Sequence, residues 1–172
     1  MGRLIDQYKQ IHSEKEYGIS GKNLIEPLSK VIDKESKSIL DYGCGRAETA
    51  EGIGKLLGIT DIVKYDPAIP EYADYPDRDV DTVICTDVLE HVPEEELDNL
   101  FAQVWGYADI EVIFVIALQL AGEILPNGEN AHCTVKPKEW WEKQLSGVWT
   151  NVEYLPQPPL SKNYKLATFK CS

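Results

Sequence analysis

The chain has 172 residues, 43% of them hydrophobic and 27% charged, a balance that supports one globular domain, 1–172, with its own core. A net charge of -12 at pH 7 disfavours nucleic acid as a partner, since a phosphate backbone is normally met by a basic face; small molecules or a protein partner fit better. No apolar run approaches the roughly 20 residues that span a bilayer, and Glu14, Lys15 and Glu16 come too early for a secretory signal, so the expected location is cytoplasmic with no membrane partner. The four cysteines, Cys44, Cys85, Cys133 and Cys171, are far apart with no Cys-x-x-Cys pair, so neither a disulfide framework nor a metal site is expected.

Leu4, Ile5, Tyr8 and Ile11 recur at helical spacing and predict a short leading helix over 3–12. Gly18 and Gly21 interrupt it. Asn23 can cap a second helix whose apolar stripe is Leu24, Ile25, Leu28, Val31 and Ile32, with Pro27 in its first turns, where the missing N–H matters least. The stretch from Ser38 to Ala50 then runs from a short apolar strand (Ile39, Leu40) through Asp41, Gly43 and Gly45 into a helix-like segment. Such a strand, tight turn and helix start let a ligand lie against bare main chain, with the N–H groups of the helix start facing it.

A dinucleotide fingerprint requires a small third residue at position 48, which is Glu48. Asp41-Tyr-Gly43-Cys-Gly45-Arg-Ala47 instead resembles the first motif of the class I S-adenosylmethionine (SAM)-dependent methyltransferases, acid-x-Gly-x-Gly-x-Gly, with Ala47 in place of the last glycine. The resemblance implies SAM as cofactor. It also implies that the leading segment, 1–35, is a helical lid over the cofactor, which makes Tyr17 and Lys22 candidates to touch it, and that 36–172 forms the α/β core.

Beyond the turn, Ala50, Ile53, Leu56 and Leu57 predict the apolar face of a helix that Gly58 stops. Ile62 to Asp66 predicts a second strand ending in an acid about 20 residues past the glycines, where nucleoside-binding α/β folds place a carboxylate for the ribose hydroxyls. The interval 67–80 holds Pro67, Pro70 and Pro76 and is too short for the further helix and strand of a typical family member, so one sheet edge should be shortened. Asp74, Ile69 and Tyr72 are the residues there that the resemblance would bring to an adenine ring.

Asp81 to Thr86 predicts a β-branched strand, and Asp87-Val88-Leu-Glu90-His91-Val looks like the segment after the fourth strand in small-molecule methyltransferases of the quinone-biosynthesis type. Pro93 opens a helix with Glu94, Glu95 and Glu96 at its positive end and the stripe Leu97, Leu100, Phe101, Val104 and Trp105. The motifs of DNA amino- and cytosine C5-methyltransferases are lacking. Glu111 to Ala117 is an apolar run suited to a strand buried on both faces. A polar loop from Gly122 to Thr134 carries His132; Pro137 starts a helix with Trp140, Trp141 and Leu145; Val152–Leu155 and Tyr164–Cys171 predict a closing pair of strands.

The pattern is that of an α/β fold, Rossmann-like: a mostly parallel twisted sheet with an antiparallel C-terminal hairpin and helices on both faces. Ligands of such sheets bind beyond the strand C-termini, where several loops converge. The cofactor contacts that follow, with the resemblance, are Tyr17, Asp41, Gly43, Cys44, Gly45, Asp66, Pro67, Asp87 and Val88. His91 and His132 are the candidate bases, because imidazole titrates near neutrality and both sit on rim loops; Glu90 is third. The expected activity is SAM-dependent methyl transfer to a small-molecule acceptor. The alternatives are a non-catalytic, SAM-holding or partner-supporting module and, further off, a nucleotide-dependent reductase.

Overall fold

The computed structural model describes residues 2–14, 20–46, 48–156 and 165–172. Tyr17, Ala47 and most of the proline-rich connection after Leu155 lie outside the described residues. One six-stranded sheet organises them: β1 (Ser38–Tyr42), β2 (Asp61–Tyr65), β3 (Val80–Thr86), β4 (Ala108–Ala117), β5 (Val152–Leu155) and β6 (Leu166–Cys171), in spatial order β2-β1-β3-β4-β6-β5. The first four are parallel, with Leu40 opposite both Val63 and Val83. β6 runs antiparallel between β4 and β5. The mostly parallel sheet with an antiparallel C-terminal pair is the expected architecture.

Alternation along the central strands sorts side chains to two faces. Leu40, Val83, Cys85, Phe114 and Ile116 pack under α4 (Leu97–Tyr107) and α5 (Lys138–Leu145), together with Phe101, Trp141 and Leu145. Ile39, Ile84, Ile113 and Val115 face the other way, toward α2 (Ile25–Ser29) and α3 (Thr49–Leu57) through Leu24, Leu28, Ala50 and Ile53. β4 is buried without a break from Val112 to Ala117 because both its faces are covered.

Three helices differ from their predicted stripes. The second predicted helix is helical only over Ile25–Ser29, preceded by a 3-10 turn at Ser20–Leu24; Asp33 N–H donates to the buried Glu111 carboxylate (2.8 Å) and turns the chain toward β1. Leu56 and Leu57 on α3 are exposed, since that helix lies down on Ala50, Ile53 and Gly54, and Gly52 meets Ile25 so closely that a Cβ there would come within 2.4 Å of it. Trp105 is 60% exposed, because one helical step from the buried Val104 turns it off the core face.

Between β2 and β3 the chain forms only a 3-10 turn, Pro70–Tyr72, and β2 is therefore the sheet edge, as the prolines of 67–80 led us to expect. Chain order reverses beside β1, whose neighbours are β2 and β3. This is the switch point of the sheet. The helix α1 (Gly2–Glu14) docks across it, with Ile11 buried against Leu125 and Ala131 and with Leu4 and Tyr8 packed alongside.

Candidate active site

A cavity of about 140 Å³ opens at the C-terminal ends of β1, β2 and β3. Gly43, Gly45, Asp66, Pro67 and Ala68 line it together with Asp87, Val88 and His91, and Leu4, Ile5, Tyr8 and His12 of α1 line it as well. The lining is predominantly apolar, with polar groups from the strand-end loops (Asp66, Asp87, His91) and from α1 (Tyr8, His12).

The glycine turn is built for close approach. Gly43 has φ +78°, and a Cβ there would come within 2.3 Å of Val88 Cγ2, so only glycine fits both the backbone conformation and the space. The N–H groups of Gly43 and Cys44 both donate to Tyr65 O (2.7 and 3.1 Å), and Gly45 N–H donates to Asp66 Oδ2 (2.9 Å). The turn thus offers the cavity bare glycine surface rather than the free donors expected from its sequence, because those donors lash it to the end of β2. Asp66 Oδ1 accepts from Ala68 N–H (2.8 Å), so one buried carboxylate holds both the glycine turn and the loop after β2. Each oxygen keeps a further lone pair.

Asp41 and Cys44 lie behind the turn and do not line the cavity. Asp41, 1% exposed, accepts from Ala50 N–H at the start of α3 (3.4 Å), while its Oδ1 has no partner. Burial, above all, pushes its carboxyl up to about 7. Cys44 is buried, and the same desolvation raises its thiol, which suits an inert side chain. Lys22 and Asp74 are exposed, and Ile69 and Tyr72 pack outside the cavity, Tyr72 under the Lys64 ammonium (4.7 Å).

Asp87 is the one non-glycine among the described residues with a left-handed backbone (φ 60°), held there by its N–H to Val115 O (2.9 Å). Next to it Glu90 is fully buried, with Oε1 accepting from Ala117 N–H (2.5 Å). Burial, then the neighbouring Asp87 charge, raise its carboxyl well above the usual carboxylate range. His91 Nδ1 lies 2.9 Å from Ala131 O and 2.7 Å from the Tyr8 hydroxyl, which itself donates to Ala131 O (2.9 Å). Enclosure lowers His91 to about 4, against the opposing pull of Asp87. His132 does not line the cavity but meets His91 edge to face, and its Nδ1 lies 2.6 Å from Gln119 O. Thr134 draws that loop in, bonding Glu90 O through its N–H (3.0 Å) and Val92 O through its hydroxyl (2.7 Å).

Sequence reasoning did not single out Leu4, Ile5, Tyr8 and His12 of the leading helix as cavity-lining residues. The signal was present: a histidine continues an apolar helical stripe, where the bland expectation is another aliphatic residue.

A family model described as a methyltransferase domain matches residues 16–141. The chain belongs to the methyltransferase-domain family. Membership bears out the resemblance to the class I SAM-dependent methyltransferases over the reductase alternative. Solved methyltransferase structures share the fold. A complex of DhpI with S-adenosylhomocysteine (SAH) aligns at TM-score 0.64 and 15% identity over 100% of this chain and 98% of that one. Magnesium protoporphyrin IX methyltransferase from Synechocystis PCC 6803, with bound SAH, aligns at 0.57 and 16% over 96% and 91%. An O-methyltransferase family protein from Burkholderia thailandensis aligns at 0.62 and 11% over 87% of this chain but only 56% of its own. No curated protein sequence gives a significant match.

Proposed function

We propose that this methyltransferase-domain chain transfers the methyl group of SAM to a small, largely apolar acceptor that carries a nucleophilic oxygen or nitrogen. The observation that carries the reading is the cavity at the switch point, lined jointly by the glycine turn, the Asp66 carboxylate and His91. Its residues fit an adenosyl cofactor: Gly43 and Gly45 leave main chain uncovered, and Asp66 retains lone pairs suited to a pair of ribose hydroxyls beside Pro67 and Ala68. When bound, SAM supplies an electrophilic methyl group. What the chain does is align an acceptor with it and keep water away.

Leu4, Ile5, Val92, Pro93 and Leu100 supply the apolar surface for that acceptor, and we read α1 as the lid over both ligands. His91, with His132 behind it, is the group that acts on the acceptor. The net charge of -12 supports a metabolite over a nucleic acid. Isothermal titration with SAH, followed by transfer of radiolabelled methyl from SAM to a panel of phenols, carboxylic acids and amines, tests the reading. SAH binding together with labelled product supports it. Binding without product from any acceptor would assign the chain to the cofactor-holding, non-catalytic class, and no binding would overturn both.

A further inference from the structure

One donor atom each from Asp87, His91 and His132 lies within 4.8 Å of the other two. Two imidazoles and a carboxylate on two different loops are a donor set suited to a borderline divalent transition metal such as Zn²⁺, Mn²⁺ or Co²⁺, and less to Mg²⁺ or Ca²⁺, which favour oxygen. We propose that these three residues form a divalent-cation site in the wall of the cavity, through which His91 and His132 act on the acceptor. The proposal rests on the methyl-transfer reading for its use and on the ligand geometry for its existence.

The tautomers point the same way. A backbone carbonyl only accepts, so the contacts of His91 Nδ1 with Ala131 O (2.9 Å) and of His132 Nδ1 with Gln119 O (2.6 Å) require both Nδ1 atoms to carry protons. The lone pair of each ring is then on Nε2. Metal-bound histidines are oriented in this way, with the second ring N–H anchored on a carbonyl. The Tyr8 hydroxyl braces the first of these anchors from α1. Asp87 is held in a left-handed backbone conformation that sets the direction of its carboxylate.

A cation bonded at about 2.1 Å in tetrahedral geometry spaces its donors about 3.4 Å apart. Closing from 4.8 Å therefore needs shifts on the order of 1 Å, within the reach of small side-chain rotations. Three protein donors leave coordination positions open, and because Asp87 and His91 line the cavity an open position is directed at the acceptor space. An oxygen- or nitrogen-bearing acceptor would occupy it. The histidines are then positioning groups for a metal rather than proton acceptors, which a base-only reading does not require.

The test uses the full, untagged chain freed of metal with a chelator. Titration with Co²⁺, followed by its visible ligand-field bands, and equilibrium dialysis with Zn²⁺ should show one cation per chain. The double variant His91→Ala/His132→Ala should lose at least about 100-fold in affinity, since disturbing outer partners alone costs about 10–100-fold. Asp87→Asn, which tolerates the same backbone, should weaken binding while circular dichroism stays unchanged. Cys133→Ser, next to His132 and exposed, should leave it intact. Equal Co²⁺ affinity in the wild type and the double variant, or loss with Cys133→Ser alone, would overturn the site. SAH titration of the same metal-free samples separates the two readings: SAH binding without specific cation binding overturns only the site, and cation binding without SAH binding supports the site while overturning the function.

Discussion

His91 and His132 meet edge to face, with ring centroids 4.6 Å apart and planes at 85°. One follows β3 and the other lies far along the loop after β4, so the contact joins two loops that the parallel sheet delivers to the same rim. His91 faces the cavity and His132 supports it from behind. Replacing His91 by Gln should lower kcat for methyl transfer by about 100-fold while the SAH dissociation constant changes by no more than a few-fold. His132→Gln should give a smaller fall of the same kind. Parallel losses in turnover and SAH affinity would instead show that the pair only supports the cofactor wall.

Asp66 anchors both the glycine turn and the loop that follows β2. Asp66→Asn keeps the shape but loses the negative charge and one acceptor, so hydrogen bonds to a charged group, worth about 1.5–3 kcal/mol, are weakened. Titration calorimetry should record an SAH affinity reduced roughly 10- to 100-fold. An unchanged affinity would remove Asp66 from the cofactor site.

Gly43 carries a conformational and a steric demand at once. Gly43→Ala places a side chain at φ +78° and drives its Cβ into Val88 Cγ2. Left-handed strain and overpacking together should cost about 2–4 kcal/mol in urea unfolding. Adding Val88→Ala should recover the overpacking part and leave the backbone part. If the double variant is no more stable than Gly43→Ala alone, the contact with Val88 is not what excludes a side chain here.

Asp41 governs a pH dependence of stability. Its carboxyl stands at about 7 in the folded protein against an ordinary 3.8, so between those values the folded chain binds a proton more readily than the unfolded one. Its contribution is therefore full below pH 3.8 and is lost as the pH rises through 7, a change on the order of a few kcal/mol. Chemical unfolding at pH 5 and pH 8 should show Asp41→Asn gaining on the wild type at the higher pH. A stability difference that is flat with pH would exclude this role.

The mostly parallel sheet with its antiparallel C-terminal pair was legible in the sequence because buried parallel strands carry continuous apolar runs, and the proline-rich interval 67–80 announced the shortened edge; the strand order was not. The turn from Asp41 to Gly45 and the acid at the end of β2 were legible for a similar reason: backbone conformation and strand-end position are local demands, met by residue type within a few positions. Helix faces were less legible. Trp105 and Leu56 match an apolar stripe yet are exposed, since a stripe does not tell how far round the helix its neighbours reach.

By itself, then, the sequence determined the fold class, the glycine turn and which loops end at the strand C-termini, because each is encoded by short-range pattern. Only the tertiary structure decided that Asp41 lies behind the turn while Asp66 lines the cavity, that α1 brings Tyr8 and His12 over it, and that His91, His132 and Asp87 share one corner. Those relations depend on how loops and a docked helix pack in space; the helical stripe that includes Tyr8 and His12 does not record what it covers.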